Sequence, residues 1–186
     1  MKRLLDLTIS VLLIVSFFFP SLIICLLIKL DSKGPILNKS NRIGKNKKIF
    51  TMYKFRTMII DAPVSHTNDL KEPQKYITRL GMKLRKYSID EIPQIINIII
   101  GDMSLVGPRP ALDIQYDLIE KRDQKGINNI KPGLTGLAQV NGRDALNLDK
   151  KIEYDDLYKN RQSIILDIKI LIKTILVVIK SKDIKH

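Results

Sequence analysis

The sequence predicts an α+β fold, mostly helical with a short β-hairpin: a monotopic membrane protein with an N-terminal re-entrant helix and interfacial amphipathic helices. Three observations carry that reading. The run from Leu7 to Ile28 contains no charge. Ile49 to Met58 alternates loosely and is rich in β-formers, as a short strand should be. Tyr76 to Tyr87 and Ser163 to Lys180 separate apolar from polar residues at helical spacing.

Composition narrows the chemistry. With 186 residues the chain can enclose one proper core. A formal net charge of +13 calls for an anionic partner, whether nucleic acid, anionic lipid or a phosphorylated substrate. The single cysteine, Cys25, lies inside an apolar run, which excludes an intrachain disulfide and argues against a zinc cluster. His66 and His186 are too few and too peripheral for a histidine-driven mechanism.

The uncharged N-terminal run is long enough, at helical rise, to reach across a hydrocarbon core of ~30 Å. No convincing small-x-small cleavage site follows it, which argues against a removed leader. Pro20 near its middle should break or kink a helix. Both flanks are basic: Lys2 and Arg3 come before it; Lys29, Lys33, Lys39, Arg42, Lys45, Lys47 and Lys48 come after. Positive flanks favour the cytoplasmic side, so both ends are drawn to the same face. A hairpin bent near Pro20 satisfies these features; a straight crossing is the competing reading. Asp31 to Pro35 reads as a turn and a boundary, with residues 1–32 as membrane helix and 33–186 as a cytoplasmic, interfacial catalytic domain.

Along the predicted strand Lys54 and Arg56 project from one face, because side chains two apart point the same way. They serve either as anion ligands or as charges that keep a solvated edge from aggregating. In the helix predicted over Tyr76 to Tyr87, Ile77, Leu80, Leu84 and Tyr87 form one face and Lys75, Arg79, Lys83 and Lys86 another. That pattern suits a membrane surface or an ordinary wet helix face. A mixed-charge helix, Leu112 to Gln124, carries no site signal. Lys131 to Arg143 contains Gly133, Gly136 and Gly142 behind Pro132, which allow either close approach to a ligand beside the Arg143 fork or an empty glycine-rich hairpin. In the final helix Lys169 and Lys173 share a face, with Asp167 and Thr174 beside it, a narrow polar stripe suited to the membrane interface.

Ser88-Ile89-Asp90-Glu91-Ile92-Pro93-Gln94 holds adjacent carboxylates between a basic segment and an apolar run. Ser88 and Glu91 have capping-box spacing, so the stretch reads as a helix start. With Ser88 as the cap, however, Pro93 would fall too deep in the helix. If Pro93 opens the helix instead, Asp90 and Glu91 lie just before it and are freer for chemistry.

Taken together, the motifs resemble the bacterial sugar transferase family, the small monotopic phosphoglycosyl transferases. The resemblance is carried by Lys2-Arg3 with Asp6, the Pro20 helix, Tyr53 to Met58, Ser88 to Gln94, Gly101 to Ser104, Val106 to Pro110, Pro132 to Gly136 and Gln139 to Arg143. One departure is Phe19, where the family often has serine before the membrane proline. The resemblance implies transfer of a phospho-sugar from a UDP-sugar to polyprenol phosphate (undecaprenyl phosphate), with release of UMP, in the first membrane step of surface glycan assembly. It implies a Mg²⁺ requirement, a nucleophilic Asp90 that also approaches the metal, and Glu91 as partner carboxylate. It assigns Lys54, Arg56, Arg109 and Arg143 to phosphate or uridine contacts. The expected setting is the cytoplasmic face of the bacterial inner membrane. Anionic lipid is an expected partner, nucleic acid is not, and a homo-oligomer is compatible with the reading. The rival readings are a non-catalytic membrane scaffold of the same fold and a membrane-anchored nucleic-acid binder. For the latter, Tyr53 and Phe55 do interleave with Lys54 and Arg56, but no recognisable module surrounds them. Sugar specificity is expected from Asp61 to Lys75 and from Asp144 to Leu148.

Overall fold

The computed structural model describes residues 1–60, 62, 73–142 and 145–180. Among these the chain is mostly helical with a short antiparallel hairpin, as predicted, and with a second, parallel pair of strands that was not. It opens with α1, Lys2–Asp31, a helix of 30 residues and therefore about 45 Å long. Of the break or kink expected at Pro20, no break occurs: the helix continues through the residue. One proline removes one donor, and the remaining turns of a long apolar helix keep their own bonds. Residues 14–20 are exposed on every side, whereas Asp6, Ser10 and Ile28 are buried against the rest of the molecule.

The predicted strand is β2, Ile49–Phe55, paired antiparallel with β1, Leu37–Ile43, in a register that sets Arg42 opposite Phe50 and Asn38 opposite Lys54. Phe50, Met52 and Phe55 are the buried members of β2. The helix expected from Tyr76 starts later, as α2, Arg79–Lys86. Thr78 caps it by accepting from the Gly81 amide, while Ile77 bridges back to Met58. Next come α3, Gln94–Ile100, and β3, Ser104–Val106. The helix predicted from Leu112 likewise starts late, as α4, Tyr116–Gln124, because Leu112 is held in a bridge to Arg42 and its amide donates to the Gln115 side chain.

The glycine-rich segment is not a hairpin. Gly133–Thr135 forms β4, which pairs parallel with β3, and α5, Leu137–Val140, follows. Its glycines serve backbone packing: a Cβ on Gly133 would stand 2.1 Å from the Gly107 nitrogen, and one on Gly136 would stand 2.1 Å from the Gly107 oxygen. Only bare glycine permits that approach.

The last described elements are α6, Leu148–Asn160, and α7, Ile164–Lys180. The main core gathers Phe50, Met52, Ile98, Met103, Leu105, Val106, Val140, Tyr158 and Ile170 between the hairpin, α3, the parallel pair and the last two helices. The polar stripe of α7 divides: Lys169 and Lys173 stay exposed, as an interfacial stripe requires, whereas Asp167 and Thr174 turn inward. Asp167 accepts from Lys2 at 2.6 Å and from Tyr158 at 2.7 Å, and Thr174 pairs with Thr135 at 2.7 Å. Ile165, Ile168, Ile172, Ile175, Leu176 and Ile179 form the outward face. Spaced three or four apart, they make one apolar stripe.

Candidate functional site

Ser88 turns the chain sharply after α2, in the left-handed region at φ 55, and makes no side-chain cap bond. Pro93 then stands at the cap of α3 with an ordinary helical φ of −61. The capping box therefore does not form and the proline opens the helix, leaving Asp90 and Glu91 on a single tight turn between two helices. Asn97, on α3, fixes that turn against the hairpin. Its amide donates to the Thr51 carbonyl at 2.7 Å, and its oxygen accepts the Tyr53 amide at 3.1 Å. With α3 clasped to β2, the Lys54 side chain reaches the acidic pair.

The Lys54 Nζ donates to Glu91 Oε1 at 2.7 Å, and the Arg109 Nη2 donates to the same oxygen at 3.0 Å. Glu91 is nearly buried, its side chain 9% exposed. Arg109 is positioned from behind. Its carbonyl accepts from Arg122 Nη1 at 2.9 Å, and Arg122 is itself held by Asp155 Oδ2 through Nε at 3.0 Å and Nη2 at 2.6 Å.

Asp90 lies beside this pair without a bonded cation of its own among the described residues. Burial raises its pKa above the usual carboxylate range; Glu91 adds to the rise, while Lys54, Arg85 and Arg109 oppose it. Burial likewise lowers the Lys54 pKa, against the pull of Glu91. Arg85 approaches from α2, donating through Nε to Thr57 Oγ1 at 2.8 Å. Arg42 arrives from β1, where its Nη1 donates to the Pro110 carbonyl at 3.3 Å. Burial, followed by the charge of Arg109, brings its pKa down to about 10.

Of the residues expected from sequence, the structure thus unites Asp90, Glu91, Lys54 and Arg109. Arg56 is held elsewhere. Its Nη2 donates to the Ser32 carbonyl at 2.6 Å and the Ile28 carbonyl at 3.2 Å, closing the C-terminal end of α1, while Nη1 reaches the Lys33 carbonyl. The strand ends at Phe55, so the shared face predicted for Lys54 and Arg56 is lost one residue too soon. Arg143, most of the 61–75 segment assigned to sugar specificity, and Asp144 of the second such segment lie outside the described residues. Sequence reasoning overlooked Arg42, which counts there only as one base among those following the membrane segment. Only the hairpin register and the Leu112 bridge could reveal it.

Among the described residues Arg42, Lys54, Arg85 and Arg109 stand around Asp90, Glu91 and Asp113, so cations are in slight excess. Such a surplus accommodates a further anion, and guanidinium forks match phosphate oxygens. No group of three or more His, Cys, Asp or Glu side chains converges among the described residues, so an all-protein metal cage is absent from them. Asp90, which has no bonded cation among the described residues, has the carboxylate that Mg²⁺ would need, since that ion commonly takes one or two carboxylates and completes its shell with substrate phosphates and water.

Comparison with known proteins gives the family. The profile of a family described as "Bacterial sugar transferase" matches residues 1–181. An uncharacterized sugar transferase of Bacillus subtilis is 40% identical over 186 residues, covering 100% of this chain and 91% of the relative. A UDP-glucose:undecaprenyl-phosphate glucose-1-phosphate transferase of Klebsiella pneumoniae is 38% identical over 94% of this chain. A UDP-N-acetylgalactosamine-undecaprenyl-phosphate N-acetylgalactosaminephosphotransferase of Aeromonas hydrophila is 36% identical, also over 94%. The chain spans only 39% and 42% of those two relatives.

Proposed function

Because the chain belongs to the bacterial sugar transferase family, we propose that it moves a phospho-sugar from a UDP-sugar to undecaprenyl phosphate or a similar polyprenol phosphate, releasing UMP. The single observation that carries the reading is the enclosed Asp90-Glu91 turn ringed by Lys54, Arg85, Arg109 and Arg42. In the first half-reaction an Asp90 carboxylate oxygen attacks the sugar-bearing phosphorus. A bond from that oxygen to phosphorus forms, the bond to the bridging oxygen breaks, and UMP leaves with the electron pair. In the second, a phosphate oxygen of the polyprenol phosphate attacks the same phosphorus and the Asp90 carboxylate is released. Glu91 stands ready to take up a proton from the incoming acceptor, while Lys54 and Arg109 hold its carboxylate in place and offset phosphate charge. A Mg²⁺ ion held by Asp90 and the donor phosphates would neutralise charge on the donor diphosphate as UMP departs. The split sequence lets a water-soluble donor depart before an oily acceptor arrives.

The same reading sets α1 into the membrane from one side. Support comes from the apolar residues 14–20, exposed all round, between two helix ends that both rest on the rest of the molecule. It makes the protein a monotopic resident of the inner membrane, facing the cytoplasm, where surface glycans begin. Asp90→Asn is expected to lower UMP release by about 10³-fold or more. Wild-type protein given UDP-sugar alone is expected to gain one phospho-sugar in intact-mass spectrometry. An active preparation that never shows this adduct would eliminate the covalent route, and UMP release from Asp90→Asn at a few per cent of wild type would eliminate the nucleophile.

A further inference from the structure

We propose that Arg42 is a further substrate-binding residue: with Arg109 it forms a clamp of two guanidinium groups for the diphosphate of the donor. This inference rests on the UDP-sugar reading above and extends it to a residue outside the acidic turn. Arg42 is fixed in place by backbone pairing. Its neighbour Ile43 donates to the Ala111 carbonyl at 2.9 Å, and Arg42 itself bridges to Leu112, so β1 is stitched to the segment that follows Arg109. Its guanidinium is half-buried, and its bonds are long ones: Nε to Ser40 Oγ at 3.3 Å and Nη1 to the Pro110 carbonyl at 3.3 Å. Both lie beyond the usual hydrogen-bond range of 2.7–3.2 Å. Among the described residues Nη2 has no bonded partner.

The charges around it set the logic. Arg109 repels Arg42, whereas Glu91 and Asp113 attract it. Glu91 already receives both Lys54 and Arg109 on one oxygen. Arg42 thus stands on two long bonds beside Arg109, whose side chain is 37% exposed, so an anion arriving at the acidic turn can meet both guanidinium groups. A diphosphate offers oxygens on two phosphorus atoms, and paired forks can grip it in a way that ammonium groups cannot.

The test uses the full chain in detergent or nanodiscs, titrated with UDP and, separately, with inorganic pyrophosphate. Arg42→Gln is expected to weaken both by about 10- to 100-fold, as loss of a charge-assisted contact should. Arg42→Lys, which keeps the charge and loses the fork, should fall between and serves where the glutamine variant folds poorly. The apparent KM for UDP-sugar should rise while that for polyprenol phosphate stays unchanged. Unaltered affinity for both probes overturns the clamp. A lower kcat at unchanged KM and affinity also overturns it, leaving Arg42 as a positioning residue that steadies Pro110. Wild-type protein that binds neither probe overturns it together with the donor reading. Pyrophosphate affinity that depends on Arg42, in a protein that turns over no UDP-sugar, keeps the clamp and removes the donor.

Discussion

Enclosure of Asp90 and Lys54 works in opposite directions on their protons. Burial raises the Asp90 pKa, so the attacking carboxylate forms only above the usual carboxylate range, near ~3.9. Burial lowers the Lys54 pKa, so its positive charge is lost below the usual lysine value of ~10.4. Activity requiring both charges therefore declines at acid pH as Asp90 takes up a proton and at alkaline pH as Lys54 releases one. The kcat/KM profile of the wild type should be a bell narrower on both sides than free aspartate and lysine would give; a flat profile down to pH ~4 contradicts the assignment of Asp90. Glu91→Gln removes the acceptor shared by Lys54 and Arg109 and is expected to lower turnover by about 10²-fold or more. The adjacency of these acids was legible in the sequence, and so was the alternative in which Pro93 opens the helix. The bonds that single out Glu91 were not, because Lys54 and Arg109 reach it only after a strand and a loop fold onto the same turn.

Among the elements, three contacts hold the site's frame: Asn97 on β2, Arg122 behind Arg109, and the glycines between β3 and β4. The Arg122–Asp155 pair joins α4 to α6 and is buried, its side chains 7% and 1% exposed. Burial also pushes the Asp155 carboxyl upward against the pull of Arg122. Removing one member strands a buried charge, so Asp155→Ala should lower the unfolding free energy by about 3 kcal/mol in a denaturant titration. It should also raise the KM for the donor, since the Arg109 carbonyl loses its brace. Gly133→Ala places a methyl group 2.1 Å from the Gly107 nitrogen, and a loss of about 1–3 kcal/mol is expected. Helical periodicity foretold α2 and α7, and proline chemistry foretold the start of α3. The starts of α2 and α4 shifted because Ile77 and Leu112 were recruited into bridges with distant residues. Local propensity contains no term for such pairings. The inward turn of Asp167 and Thr174 has the same origin: their partners Lys2, Tyr158 and Thr135 lie elsewhere in the chain.

For the whole molecule, the long helix is tied down at both ends. Lys2 reaches Asp167 and the Val106 carbonyl, Asp6 accepts from Ser104 and the Leu105 amide, and Arg56 closes the far end. If α1 enters and leaves on one face, a cysteine placed at exposed Lys39 in a Cys25→Ser background should react only with reagent admitted to the cytoplasm. Labelling of that cysteine from outside intact cells would refute a re-entrant α1. By itself the sequence determined the greasy N-terminal helix, the surplus of positive charge and the acidic pair beside a helix-opening proline. These depend on composition and short-range spacing, which a chain carries before it folds. Only the tertiary structure decided that Arg56 closes a helix, that Arg42 joins the site, and that the glycine-rich segment is a parallel strand against β3. Each of those outcomes depends on which distant backbone reaches a side chain first, and that is settled by packing.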